Sequence, residues 1–288
     1  MSAGSAIGRA ALAVAVAVVC STPAAPRAAG ARASSVLDHE FLVTWYGNPR
    51  STRMGILGEQ SVEARASALR KQADAYVPLT DKTVVPAYHL VAVVAQCTAG
   101  KDALWRRRET ADVIRDLLID ARAHGFRLIL DVQPGRATVE AEVNALAPFL
   151  AEPDMYLALD PEFTMSDCEV PGRQIGQMAA ADISRAASVL SDIIDRGHLP
   201  PKVLIVHQFR LDMLPDKRAI GASPNVDLVL MMDGFGSRSL KRDSYRTVFR
   251  QAPLEFAGIK LFFRQDTNLM GPADVLAMTP RPSVVIYQ

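Results

Sequence analysis

The stretch 156–163, YLALDPEF, decides how the rest of the chain is read. A short apolar run from Tyr156 to Leu159 ends in two carboxylates, Asp160 and Glu162, spaced two apart. In an extended strand alternate residues share a face, so this spacing points both acids one way while Leu157 and Leu159 point the other. Seven further segments read as strands, 41–46, 87–96, 127–133, 202–208, 227–233, 258–265 and 283–287, and several also end in a polar residue. Helical patterns lie between them over 62–75, 103–124, 138–150 and 174–196, the second and fourth stopped by Gly125 and Gly197. Strand and helix in alternation predict a parallel sheet, and eight strands predict closure into a single-domain (β/α)8 barrel over 34–288. The helices after the fifth and seventh strands are short, near 211–219 and 272–278, and an eighth helix is missing. An open doubly wound sheet is the competing architecture.

Composition agrees with a large folded domain. With 49% hydrophobic and 22% charged residues there is apolar material for a sizeable core, and a net charge of +1 gives no electrostatic case for a nucleic-acid partner. The basic run Arg106-Arg107-Arg108 is read as the solvated start of the helix over 103–124.

The N-terminus reads as a targeting segment. Arg9 precedes an apolar run over 10–19, then Cys20 and a loose Ala, Pro and Arg-rich stretch reaching Ala31-Arg32-Ala33, an A-x-A signal for cleavage before Ser34. The run is too short for a bilayer span, which needs about 20 residues. The expectation is a signal peptide over 1–33 and a secreted or cell-envelope protein, with lipidation of Cys20 as the alternative that would tether it to a membrane. Loss of that leader removes three arginines and leaves 29 basic against 31 acidic residues. Cys97 and Cys168 then remain as an even pair in an oxidising compartment, and a disulfide between them is expected on the rim beside the acid pair.

In a barrel of this kind the site lies at the carboxyl ends of the strands. Those ends supply Trp45 and Tyr46, Asp131 and Gln133, Asp160 and Glu162, His207 and Gln208, Asp233, Arg264 and Gln265, and Tyr287 and Gln288. Paired acids surrounded by amides and aromatics suit glycoside hydrolysis, which needs one carboxyl held protonated for the leaving oxygen and a second charge for the oxocarbenium-like centre. Glu162 is assigned as general acid, Asp160 as the residue that orients it, with Asp131 as its neighbour, and Asp233 as base or nucleophile. Tyr46, Trp45, Asp131, Gln133, His207, Gln208, Gln265, Tyr287 and Gln288 are the expected contacts to a polysaccharide or glycan substrate.

The ending Asp160-Pro161-Glu162 on the fourth strand, together with Met231-Met232-Asp233 on the sixth, resembles the barrel glycosidases that cut amino-sugar polymers, the chitinase-like and muramidase-like enzymes. That resemblance implies Glu162 as proton donor and Asp160 as support for the intermediate. The chain departs from the chitinase-like pattern in having Tyr156 to Leu159 where further aspartates stand, and Met232 where a tyrosine stands. No cofactor or metal is expected, because no H-x-H or H-E-x-x-H spacing occurs and His89 falls early in its strand. Two rivals stand beside this reading. One is a metal-dependent barrel using Asp131, Asp160, Glu162, His207 and Asp233. The other is a non-catalytic glycan-binding envelope protein, favoured if Glu162 or Asp233 pairs with an arginine such as Arg264.

Overall fold

A computed structural model describes Met1, residues 35–251 and residues 254–288. The expected signal peptide over 1–33 and the alternative of a lipid anchor at Cys20 fall outside the described residues. The strands in chain order are β1 (Glu40–Gly47), β2 (Thr83–Ala95), β3 (Arg106–Arg108), β4 (Arg127–Val132), β5 (Met155–Leu159), β6 (Lys202–Gln208), β7 (Val226–Met232), β8 (Phe256–Leu261) and β9 (Val284–Tyr287). All but β3 join in one parallel sheet that closes where β1 pairs with both β2 and β9. The helices are α1 (Val62–Asp74), α2 (Ala111–Ala123), α3 (Val139–Leu150), α4 (Ala180–Gly197), α5 (Arg238–Gln251) and α6 (Pro272–Leu276). This is the expected (β/α)8 barrel, with β9 the last element among the described residues.

The closed sheet has two buried faces, so its strands are apolar on both sides. Leu42, Ala87, Ile129, Ala158, Ile205, Val229 and Ile286 fill the interior, while Phe41, Leu90, Leu128, Leu157, Leu204 and Leu230 pack outward with the helices. Leu37 plugs the amino-terminal end of the barrel, where the Ser35 hydroxyl and the Leu37 N–H both donate to Asp227 Oδ2, at 2.9 and 2.8 Å. Ser61 and Thr138 cap α1 and α3 by accepting from the N–H groups of Ala64 and Ala141. No helix among the described residues is long and apolar enough to cross a membrane.

The helix expected over 103–124 begins only at Ala111. Ala103 and Trp105 take positive φ values of 58° and 54°, which break a helix, and Arg106–Arg108 instead pair antiparallel with Val93 to Ala95. Extended pairing puts Arg106 and Arg108 on one side, where both reach the fully buried Glu142 of α3 at 2.8 and 2.6 Å. In a helix, residues two apart do not face the same way. The helix expected from residue 174 likewise starts at Ala180. Residues 211–219 form two short 3-10 turns, and β8 ends at Leu261, four residues before the expected limit. Cys97 and Cys168 are exposed free thiols, so the expected disulfide is not formed.

Candidate functional site

Asp160 is the last extended residue after β5, at φ −112° and ψ 90°, and Pro161 then turns the chain into a 3-10 turn. The strict alternation expected through Glu162 therefore stops at Asp160. The turn is held by the Gly176 N–H, which donates to the Glu162 carbonyl at 2.7 Å. A Cβ at Gly176 would stand 2.2 Å from the Thr164 carbonyl oxygen, so only glycine allows this approach. Asp160 is nearly fully buried while Glu162 is half-buried, and both line one cavity of about 680 Å³. Asp233, Gln133, Tyr46, Lys260 and Gln288 line it too.

Alternation along the strands sorts the remaining candidates. Asp131 and Gln133 share the inward face with Ile129, Tyr46 shares it with Leu42, and His207 shares it with Val203 and Ile205. Trp45, Gln208 and Tyr287 occupy the opposite phase and are corrected out of the site. Trp45 packs among the outer core residues. Gln208 donates to the carbonyls of Arg210 and Leu211 and accepts from Lys217 Nζ at 2.9 Å. Tyr287 shares a hydroxyl contact of 2.6 Å with Tyr76 and stacks on Phe263. Gln265 sits in an exposed turn after β8, away from this cavity, beside Arg264. Arg264 donates to Glu59 at 2.9 Å, so the arginine that would have neutralised the acids is engaged elsewhere.

Two residues absent from the expected set belong here. His89 lies mid-strand because β2 begins at Thr83, and it faces inward from β2. Lys260 is the inward residue of β8, with its ammonium 3.7 Å from the centroid of the Tyr46 ring, close enough for a cation–π contact. The signal for His89 was its even spacing from Ala87 and Val91 once the strand's true start is known.

The buried polar groups form a chain. Asp131 Oδ2 lies 3.3 Å from His89 Nε2 and 3.5 Å from His207 Nε2, and His207 Nδ1 lies 3.2 Å from Asp233 Oδ2. Gln133 accepts from the Ala95 N–H and donates to Asp160 Oδ2 at 3.3 Å, and its amide also faces the Tyr46 hydroxyl at 3.4 Å. Burial works against an imidazolium at His207, but the carboxylates of Asp131 and Asp233 outweigh it and raise its pKa to about 10. His89, with burial dominant and Asp131 only partly offsetting it, falls to about 4. Burial favours a proton on Asp131, yet the two histidines hold its pKa below the ordinary range. Asp160 moves the other way, to about 8, through burial reinforced by the charges of Asp131, Asp233 and Glu162 against the pull of His207. Glu162 is also raised, by burial and then by Asp233, while Lys260 and His207 oppose the shift.

The cavity thus holds Asp160, which retains its proton near neutrality, and Glu162, whose pKa is raised, beside Asp233, which faces the imidazole of His207. Environments that push neighbouring acids apart are what acid–base chemistry requires. Around them Phe163, Phe209, Phe235 and Phe262 supply apolar walls, with Phe235 exposed at the rim.

No protein-family model and no curated protein matches the chain. Solved structures are similar at the level of the backbone. An oxaloacetate acetylhydrolase in complex with oxalate aligns at 14% identity over 87% of this chain and 75% of that one, with a TM-score of 0.49. An endo-beta-N-acetylglucosaminidase from Cordyceps militaris aligns at 14% identity over 87% and 83%, at 0.38. An EDTA monooxygenase from Chelativorans sp. BNC1 aligns at 11% identity over 77% and 61%, at 0.32. At these scores and identities the likenesses assign neither family nor chemistry.

Proposed function

We propose that this chain is an exported glycoside hydrolase-like enzyme that cleaves a cell-envelope or environmental polysaccharide by carboxylate acid–base catalysis. The observation that carries the reading is the convergence of Asp160, Glu162 and Asp233 on one cavity at the carboxyl end of the barrel, with no arginine paired to any of them among the described residues. Glu162, on the solvent side and holding its proton above the ordinary glutamate range, gives that proton to the leaving glycosidic oxygen. Asp233 takes the complementary part, attacking the anomeric centre or activating water against it. Asp160, protonated and fixed by Gln133, adds no negative charge that would compete with Asp233 for the cationic centre. The phenylalanines offer faces to sugar rings, and Gln133, Gln288 and Lys260 offer donors to hydroxyl groups.

Release of reducing ends from a panel of envelope and plant polysaccharides tests the proposal. The purified chain should release them from at least one polymer and Glu162→Gln should not; no release from any polymer would move the account to a glycan-binding protein.

A further inference from the structure

His89, Asp131 and His207 come from three different strands, β2, β4 and β6, and meet in the barrel interior beneath the cavity. All three are fully buried. Their four ring nitrogens and two carboxylate oxygens are all without an aligned hydrogen-bond partner, although each side chain lies at ion-pair distance from its neighbour. Buried polar atoms left in this state are costly, and native structures hold few of them. Three such side chains facing one point indicate that something else satisfies them.

We propose that these three residues form a binding site for one divalent metal ion of the zinc type. Zinc binds histidine nitrogen and carboxylate oxygen at about 2.0–2.2 Å in tetrahedral geometry, so its ligand atoms stand roughly 3.3–3.5 Å apart. His89 Nε2 and His207 Nε2 stand 3.3 and 3.5 Å from the same Asp131 oxygen, and one donor atom from each residue lies within 4.8 Å of the others. The outer nitrogen of His207 faces Asp233 Oδ2 at 3.2 Å, the carboxylate–histidine arrangement that orients a ligating imidazole and strengthens it as a donor. Tyr46 packs its ring 5.0 Å from His89 and 6.1 Å from His207 and also lines the cavity, so the ion sits behind the reacting groups. The site goes beyond the proposed hydrolysis, and no step of that reaction passes through it.

The test uses the purified full chain without added histidines, stripped of metal, loaded with Zn²⁺ and dialysed. One equivalent of zinc per chain is expected. His89→Ala and Asp131→Asn should each weaken binding more than tenfold, whereas His124→Ala should not change it. On the wild-type chain, zinc should shift the side-chain ¹H–¹⁵N signals of two of its five histidines, which keeps the test decisive if a core variant fails to fold. Bound zinc well below one equivalent, full retention by His89→Ala, or shifts confined to His39, His124 and His198 would overturn the proposal. None of these readouts depends on glycan cleavage, so the site and the hydrolase reading can fail separately.

Discussion

Lys241 and Asp266 form an ion pair of 3.0 Å whose side chains are each about 1% exposed, and Asp266→Ala removes the partner that makes this burial tolerable. The lysine ammonium also donates to the carbonyls of Gly234 and Lys260 at 2.7 Å, and the aspartate accepts from the N–H groups of Gly236 and Phe262 at 2.9 Å. The ion pair and these four bonds join the loop after β7, the first turn of α5 and the segment after β8 in one network, and the two loops carry Phe235 and Phe262. Truncation strands a buried ammonium and orphans two backbone donors, a loss of about 3–5 kcal/mol on the scale of broken buried pairs. For a domain of this size each kcal/mol moves Tm by about 2–4 °C, so the melting point should fall by roughly 6–20 °C. Burial already pulls the Lys241 pKa down against the attraction of Asp266. Without the aspartate the lysine should neutralise in the folded state, and the variant should regain stability as pH rises. Urea unfolding of Asp266→Ala, Lys241→Met and the double variant measures the coupling, expected at 0.5 to about 3 kcal/mol for groups in one network. A loss below about 1 kcal/mol for Asp266→Ala, with additive single effects, would refute this account of how the two loops are held.

Other expectations follow from the same geometry. Because Glu162 must be protonated to act and its pKa is raised, kcat/KM should fall only as pH rises past the ordinary glutamate range, and a pH profile with an alkaline limb starting at ordinary glutamate values would count against that role. Lys202 and Lys217 are both lowered to about 8 by burial, so between about pH 8 and 10 the unfolded chain binds more protons and stability should rise, which urea unfolding at stepped pH would show as a rising midpoint. Glu142→Ala removes the buried acceptor of Arg106 and Arg108 and should cost about 2 kcal/mol while freeing β3, read as faster proteolytic cleavage near residues 103–108.

The barrel was legible because strand–helix alternation survives local error. Eight apolar runs were found within a few residues of β1, β2 and β4–β9, and that is enough to fix a closed parallel sheet. The phase of each strand was harder to read. Trp45 and Tyr46, His207 and Gln208, or Tyr287 and Gln288 cannot both face inward, yet a strand buried on both sides has no polar face to reveal which one does. Asp131 and Gln133 were recognised because two polar residues spaced two apart mark the inner face of β4 by themselves. His89 looks incidental in a strand that starts at residue 87, whereas Thr83 to Pro86 also pair with β1 and put it mid-strand. Asp160 and Glu162 line one cavity, but through Pro161 and a 3-10 turn rather than through strand alternation. The run Arg106–Arg108 misled because its ordered partner, Glu142, lies 34 to 36 residues away on α3.

Leaving-group dependence tests the central assignment most directly, using alkyl and dinitrophenyl glycosides of whichever sugar the polymer panel identifies. A general acid matters only where the leaving oxygen needs a proton. Glu162→Gln should therefore lose about 10²–10⁴ in rate on the alkyl glycoside and far less on the dinitrophenyl one, while Asp233→Asn should lose heavily on both. Equal losses for Glu162→Gln on the two substrates would contradict its role as proton donor.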